Sequence, residues 1–202
     1  MGNHDKLVQW TGDINSKALE TLRGNGGVIV SPTKVGYIIM TADSKGLDRK
    51  FQIKDRKRNK PGVVLCGSME QLQELAELNE EIKTFYQKHW DQDILLGCIL
   101  PWKKTGKKYI PDDNSTELMM DTRQTSCFVI RFGRPSEQLA QILWEKDRKL
   151  VFASSANPSG KGNRGVVAGI GPQIEDGADL IIAADQFVAS IQPNKDEESR
   201  YE

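Results

Sequence analysis

Residues 27–37 read Gly-Val-Ile-Val-Ser-Pro-Thr-Lys-Val-Gly-Tyr, and residues 150–160 read Leu-Val-Phe-Ala-Ser-Ser-Ala-Asn-Pro-Ser-Gly. Each is a short apolar run that ends abruptly in hydroxyl, amide and turn-forming side chains. Runs of this length with such punctuation predict buried strands. Polar groups directly after a strand lie where open α/β sheets bind ligands. Two such segments more than a hundred residues apart therefore predict one sheet with a polar functional edge.

The surrounding sequence supports this reading. Further strands are predicted over residues 37–41, 62–66, 94–100, 127–132 and 179–183. Helices are predicted over 15–23, 44–51, 68–78 and 79–90, and from Pro135, where Leu139, Ile142 and Leu143 make one stripe. Ser68 with Gln71 matches a capping box. Residues 103–124 read as a polar loop, with turn chemistry at Pro111-Asp-Asp-Asn114. Interleaved helices and strands predict an α/β fold: a single-domain, twisted, mostly open mixed β-sheet with flanking helices. The domain is expected over 15–192, after an N-terminal segment at 1–14 and before a charged tail at 193–202.

The chain has 202 residues, with 28 basic and 28 acidic side chains and a formal net charge of zero. That length supports one domain with an ample core. Zero net charge disfavours broad attraction to nucleic acid or to anionic membranes. The longest apolar run, 94–100, is too short to span a membrane. The first residues lack the apolar segment of a secretory signal. Cys66, Cys98 and Cys127 are odd in number and widely spaced, which suggests neither a disulfide scaffold nor a zinc knuckle. A reducing, cytoplasmic setting is expected. The neutral total conceals blocks: residues 45–60 carry eight bases against two acids, and residues 70–93 carry seven acids against two bases.

Several chemistries are disfavoured directly. His4 and His89 are the only histidines, so a histidine-rich metal site is excluded and no metal ligand is assigned. There is no G-x-S-x-G elbow and no Walker loop. A literal G-x-G-x-x-G stands at residues 160–165, with Asp185 twenty residues later. Asn157-Pro158-Ser159 separates it from the preceding strand, and glycines and Pro172 interrupt the expected crossover helix, so the dinucleotide context fails. What remains is Ser31-Pro32-Thr33 with Tyr37, Lys54-x-Arg56 with Lys60, and Ser155-x-Asn157. These offer cations, hydroxyls and an amide without a nucleophile–base pair. The set suits a triphosphate, with arginine as a fork and lysine as a point charge. The implied chemistry is positioning and charge stabilisation.

Lys54-Asp55-Arg56 followed much later by Ser155-Ala156-Asn157 resembles the paired K-x-R and S-x-N motifs of the Sua5/YciO/YrdC family. Pro32 to Ile39 resembles the family's P-T-x-T-x-Y-G-L segment. Lys60-Pro61 with the following strand, and Cys127 to Arg131, are similar to further family segments in the same order. The resemblance implies a twisted sheet with a concave cationic face. It also implies synthesis of L-threonylcarbamoyladenylate from L-threonine, bicarbonate and ATP, with release of pyrophosphate, for t6A modification of tRNA. By the same resemblance, Lys54 and Arg56 are catalytic, and Lys54, Arg56, Lys60, Ser155 and Asn157 hold ATP. Thr33, Tyr37 and Arg131 bind the acceptor. ATP enters as substrate with Mg²⁺. Alternatives within the family are a noncatalytic nucleotide- or double-stranded-RNA-binding protein, and a carbamoyl-adenylate transferase with another acceptor.

The chain also departs from the family pattern. Lys34 and Val35 replace the usual acid and second threonine, and Ile38 replaces a glycine. Asp91-Gln92-Asp93-Ile94-Leu95-Leu96 stands where W-P-G-P-x-T-L is expected to continue after Trp90, and Cys127 replaces a threonine. These changes fall on the acceptor side of the expected site, while the phosphate motifs are kept.

Overall fold

The computed structural model describes residues 6–54 and 62–191. Eight strands form one mixed sheet in the order β1-β8-β2-β3-β7-β4-β6-β5. They are β1 (Leu7–Gln9), β2 (Ile29–Thr33), β3 (Gly36–Thr41), β4 (Val63–Leu65), β5 (Leu96–Pro101), β6 (Thr125–Ile130), β7 (Phe152–Ser155) and β8 (Leu180–Ala183). The helices are α1 (Ser16–Arg23), α2 (Ser44–Lys54), α3 (Met69–Leu75), α4 (Glu80–Asp91), α5 (Ser115–Met119), α6 (Ser136–Asp147), α7 (Pro172–Gly177) and α8 (Asp185–Ser190). The α/β class and the mixed sheet are as expected.

Strand alternation sorts the core onto two faces. Met40 lies opposite Ala153, and both pack with Leu65, Ala18 and Leu22 of α1, and Leu139 and Leu143 of α6. On the other face, Val30, Ile39 and Ile181 pack with Ile53, Ile174 and Val188. Val64, Phe128 and Phe152 continue that face into a third cluster under α3, with Leu47 of α2 and Tyr86 of α4. Helix α2 thus joins two clusters, through Leu47 at one end and Ile53 at the other.

Local sequence explains the helix starts. The side chains of Asn15, Ser68 and Asn79 cap α1, α3 and α4, each satisfying an orphan backbone N–H. Residues 103–124 differ from the loop expectation, for they hold a 3₁₀ turn at Gly106–Tyr109 and helix α5. The Pro111-Asp-Asp-Asn114 turn starts that helix: the Asp113 carboxylate accepts from the Ser115 N–H and hydroxyl, and also from the Ser44 N–H at the start of α2. Residues 7–9, set apart by the sequence reading, supply an edge strand beside β8. Helix α3 ends three residues earlier than expected. Helix α2 reaches at least three residues further, so Lys54 lies on a helix. The tail from 193 lies outside the described residues.

Candidate functional site

Helix α2 carries Lys54 to the sheet. Its buried stripe is Gly46, Leu47, Lys50, Ile53 and Lys54, which places two lysines on an inward face. At Gly46 a Cβ would stand 1.5 Å from the Thr41 hydroxyl; only glycine lets the helix lie this close to β3. Arg49 anchors the helix. Its guanidinium forks both Asp179 carboxylate oxygens at 2.6 and 2.9 Å and donates to the Gly26 and Gly177 carbonyls. Bidentate pairs of this kind fix geometry. Burial raises the Asp179 pKa, but the Arg49 bond and the Val28 N–H outweigh it and hold the carboxyl below its usual value.

So positioned, Lys54 is only 3% exposed, and its ammonium donates to the Ser155 carbonyl at 2.5 Å and lies 3.4 Å from the Ser155 hydroxyl. Lys54 and Ser155, one residue of each motif, therefore meet. Two residues on, Asn157 is buried, and its amide nitrogen donates to the Pro158 and Lys161 carbonyls. Among the described residues its carbonyl oxygen is buried without a partner, as is the Ser154 hydroxyl. Such orphaned acceptors are costly. With both N–H groups engaged, Asn157 presents only an acceptor, so it suits a hydroxyl or amino group of a ligand and not a phosphate oxygen.

The hairpin of β2 and β3 adjoins this loop. The Ala156 N–H donates to the Tyr37 carbonyl at 2.8 Å. Asn163, inside the G-x-G-x-x-G run, pairs with the Tyr37 backbone through both its amide oxygen and its nitrogen. Gly36 has φ of +97°, and a Cβ there would stand 2.3 Å from the Asn163 amide oxygen. The glycine-rich run thus docks against the hairpin. Asp185 accepts from the Tyr37 hydroxyl at 2.6 Å and from the Val167 N–H.

Two expected acceptor-side residues are engaged internally. Thr33 is buried; its hydroxyl donates to the Gly36 carbonyl and accepts from the Val35 N–H, closing the hairpin turn. Tyr37 is fully buried, and its hydroxyl is shared between Asp185 and the Ala184 N–H. Both side chains brace the fold in this structure. Arg131, in a left-handed backbone conformation with φ of +54°, stacks 3.7 Å from the Trp90 ring centroid and donates to the Trp90 carbonyl. It also lies 3.7 Å from Asp93 and 3.4 Å from Glu137. Arg56 and Lys60 lie outside the described residues, as do Lys57 and Arg58, so half the bases of the 45–60 block, and the cationic face they were to supply, are not described.

The sequence reading named Lys34 and Asp93 only as departures from a pattern. The structure joins them: the Lys34 ammonium lies 2.7 Å from the Asp93 carboxylate and donates to its carbonyl at 2.6 Å. The signal was present in the sign of the changes, since a base replaced an acid in one segment and an acid appeared in the other.

Below these groups runs a half-buried band of sheet. The register sets Ile38 beside Ser155, and Val63 beside Cys127 and then Ile99. All lie on the α1/α6 face, and Ile99 stays 53% exposed. Burial, then the neighbouring Cys98, pushes the Cys127 thiol up, so it is an apolar floor residue and a poor nucleophile. No group of three or more His, Cys, Asp or Glu residues able to hold a metal occurs among the described residues. Among the same residues, no helix is long and apolar enough to cross a membrane.

The Sua5/YciO/YrdC family profile, whose description reads telomere recombination, matches residues 21–193. The chain belongs to this family. No curated protein matches it. Among solved structures, a hypothetical protein from Streptococcus mutans UA159 is 58% identical, with TM-score 0.89, over 96% of this chain and 75% of that one. P. abyssi Sua5 complexed with L-threonine is 22% identical, with TM-score 0.65, over 88% of this chain and 50% of that one. E. coli YciO is 18% identical, with TM-score 0.65, over 88% and 82%. The last two likenesses bear on the fold; the family's mixed sheet and flanking helices are what this chain adopts.

Proposed function

We propose that this protein is an adenylate-forming enzyme of the threonylcarbamoyl-AMP synthase type. It would condense L-threonine, bicarbonate and ATP and release pyrophosphate. The observation that carries the reading is the Lys54–Ser155 contact, which brings one residue of each motif together at one end of β7. Family membership supports it, as does the L-threonine held by the P. abyssi relative. In the reaction, a carbamate oxygen of N-carboxythreonine attacks the α-phosphorus and the bond to pyrophosphate breaks. Negative charge builds on phosphoryl oxygens, where Lys54, with Arg56 and Lys60 from the adjoining segment, would stabilise it. The unpartnered Asn157 oxygen would accept from a nucleoside hydroxyl or amine.

Mg²⁺ would travel with the nucleotide. Such ions keep few protein ligands and take the rest from phosphates and water, which fits a site whose nearby oxygens are Ser155 Oγ and Asn157 Oδ1. Bound there, it would neutralise phosphate charge. The test is ATP–pyrophosphate exchange that requires both threonine and bicarbonate; absence of exchange in folded protein removes the proposal.

A second reading keeps the nucleotide and changes the acceptor. It is favoured by the internal engagement of Thr33, Tyr37 and Arg131. Exchange supported by another amino acid or by carbamoyl phosphate, and not by threonine, would select it.

A further inference from the structure

Residues 94–100 are the longest apolar run in the chain, yet they lead into and form β5, an edge strand of the sheet. The hydrogen bonds of β6 fix which way β5 faces. The Cys127 N–H donates to the Gly62 carbonyl, and the Val129 carbonyl accepts from the Cys66 N–H, so both residues turn their backbone groups toward β4. Ser126, Phe128 and Ile130 therefore face β5, and their partners Leu100, Cys98 and Leu96 face β6. The Tyr86 hydroxyl lies between them, accepting from the Cys98 N–H and donating to the Phe128 carbonyl. Gly97, Ile99 and Pro101 are left facing outward. The Pro101 carbonyl takes the Glu77 N–H. Among the described residues, no hydrogen bond reaches the outward N–H and C=O groups of Gly97 and Ile99, and both residues are exposed. Sheet edges are ordinarily blunted by charge, proline, a bulge or a covering segment. Between Ile94 and Leu100 this edge carries no charged residue and no proline, and its register with β6 is unbroken.

We infer that this edge is a dimer interface, in which β5 pairs antiparallel with β5 of a second copy about a twofold axis at Cys98. Three features of the strand fit it to itself. First, the axis sets Gly97 opposite the partner's Ile99, and Ile99 opposite the partner's Gly97. Each is a hydrogen-bonded pair that exchanges two bonds, so every open N–H and C=O of these residues is satisfied. Second, opposed residues share a face of the sheet. The exposed Ile99 side chain thus lands where the partner has a glycine and no side chain to collide with. Third, the ends of the strand differ in charge. Asp91 and Asp93 precede it, and Lys103 and Lys104 follow it. Glu77 lies at the basic end, where Lys107 and Lys108 outnumber it. Antiparallel pairing of identical strands brings the acidic end of each to the basic end of the other. The ladder is bounded on both sides. Glu77 occupies the edge at Pro101, and the bond from the Ile94 N–H to the His89 carbonyl draws the chain toward α4 before β5 begins. A closed, isologous pair is the outcome such self-complementarity favours. The inference does not rest on the nucleotide reading.

The test is sedimentation equilibrium of the full chain from about 1 to about 200 µM. Four backbone bonds and two apolar contacts make a small interface, so a monomer–dimer dissociation constant on the order of 10 µM is expected. Ile99→Lys removes an apolar contact at both symmetric positions and should raise that constant about tenfold or more. Ile99→Thr, β-branched and suited to a strand, is the second variant should the first fail to fold, with a rise of about threefold or more. A cross-link reads the register. At the axis the two Cys98 residues form a non-hydrogen-bonded pair with Cα atoms about 4.5 Å apart, within disulfide reach. Diamide, which accepts the two thiol hydrogens as the S–S bond forms, should give a covalent dimer on non-reducing electrophoresis. Cys98→Ser should abolish that band. A monomer throughout the concentration range overturns the inference. So does an unchanged dissociation constant in a folded Ile99 variant, or a dimer that diamide does not cross-link through Cys98.

Discussion

Lys54 and Ser155, 101 positions apart, meet with the lysine ammonium 2.5 Å from the serine carbonyl. A buried ammonium is tolerated only where dipoles or counter-charges compensate it, and the end of β7 supplies such a dipole. On the proposed function, the same contact would hold the charge where a phosphate needs it. Lys54→Met keeps the stem and removes the charge. We expect at least a hundredfold loss in the exchange reaction, the size typical of a lost transition-state charge contact. Thermal unfolding, measured in parallel, should show a folded variant. Full exchange activity would place the phosphate site elsewhere.

Tyr37 provides the contrasting case. Its hydroxyl donates to Asp185 and accepts from the Ala184 N–H, tying β3 to the start of α8. Tyr37→Phe removes both bonds and fits the same space. Stability should fall by about 1–3 kcal/mol, the cost of leaving buried polar groups unpaired. Denaturant titration measures this. Threonine affinity should stay unchanged, whereas a direct contact with the acceptor would make it fall.

These two residues show what was legible in the sequence. The strand runs and the Ser68–Gln71 capping signal disclosed the fold because burial and capping leave local patterns. The meeting of Lys54 with Ser155 was approached through motif order. The internal roles of Thr33 and Tyr37 were not legible: a threonine that closes its own turn and one that faces a ligand look alike in sequence. Tyr37 needed Asp185, 148 positions away, and Asp185 had been weighed only as part of a dinucleotide fingerprint. Strand β1 is three residues long with an exposed, half-buried, exposed pattern, too short to show a period. Helix α5 was hidden because its starting residues are also turn residues.

Gly36 tests the docking of the 160–165 run. Its φ is +97°, and the Asn163 amide occupies the space a Cβ would need. Gly36→Ala must strain the turn and push Asn163 off the Tyr37 backbone. We expect a loss of about 1–3 kcal/mol, with faster amide exchange at Tyr37 and Gly165, whose N–H groups Asn163 accepts. Asn163→Ala should reproduce the exchange change without the backbone strain, so its stability loss should be smaller. Equal exchange rates in all three proteins would show that the loop is held by other contacts.

Acid should unfold the protein through identifiable carboxylates. The Asp179 carboxyl is pushed up by burial, but the Arg49 bond and the Val28 N–H outweigh this and lower its pKa. Asp113 is lowered in the same way, by Ser115 and the Ser44 N–H against burial. The Thr125 N–H, with help from Arg123, brings Asp121 down to about 2. An unfolded aspartate titrates near pH 3.9. A folded pKa below that value means the unfolded chain binds more protons through the intervening range, so stability rises with pH there. These contributions are complete above about pH 5 and are lost as pH falls through the folded pKa values, toward about 2. Unfolding free energy should therefore decline on acidification below about pH 5. Asp179→Asn should be less stable at neutral pH, because the Arg49 fork loses its charge partner, and its acid decline should be shallower. An acid limb with unchanged slope in Asp179→Asn would assign the loss to other carboxylates.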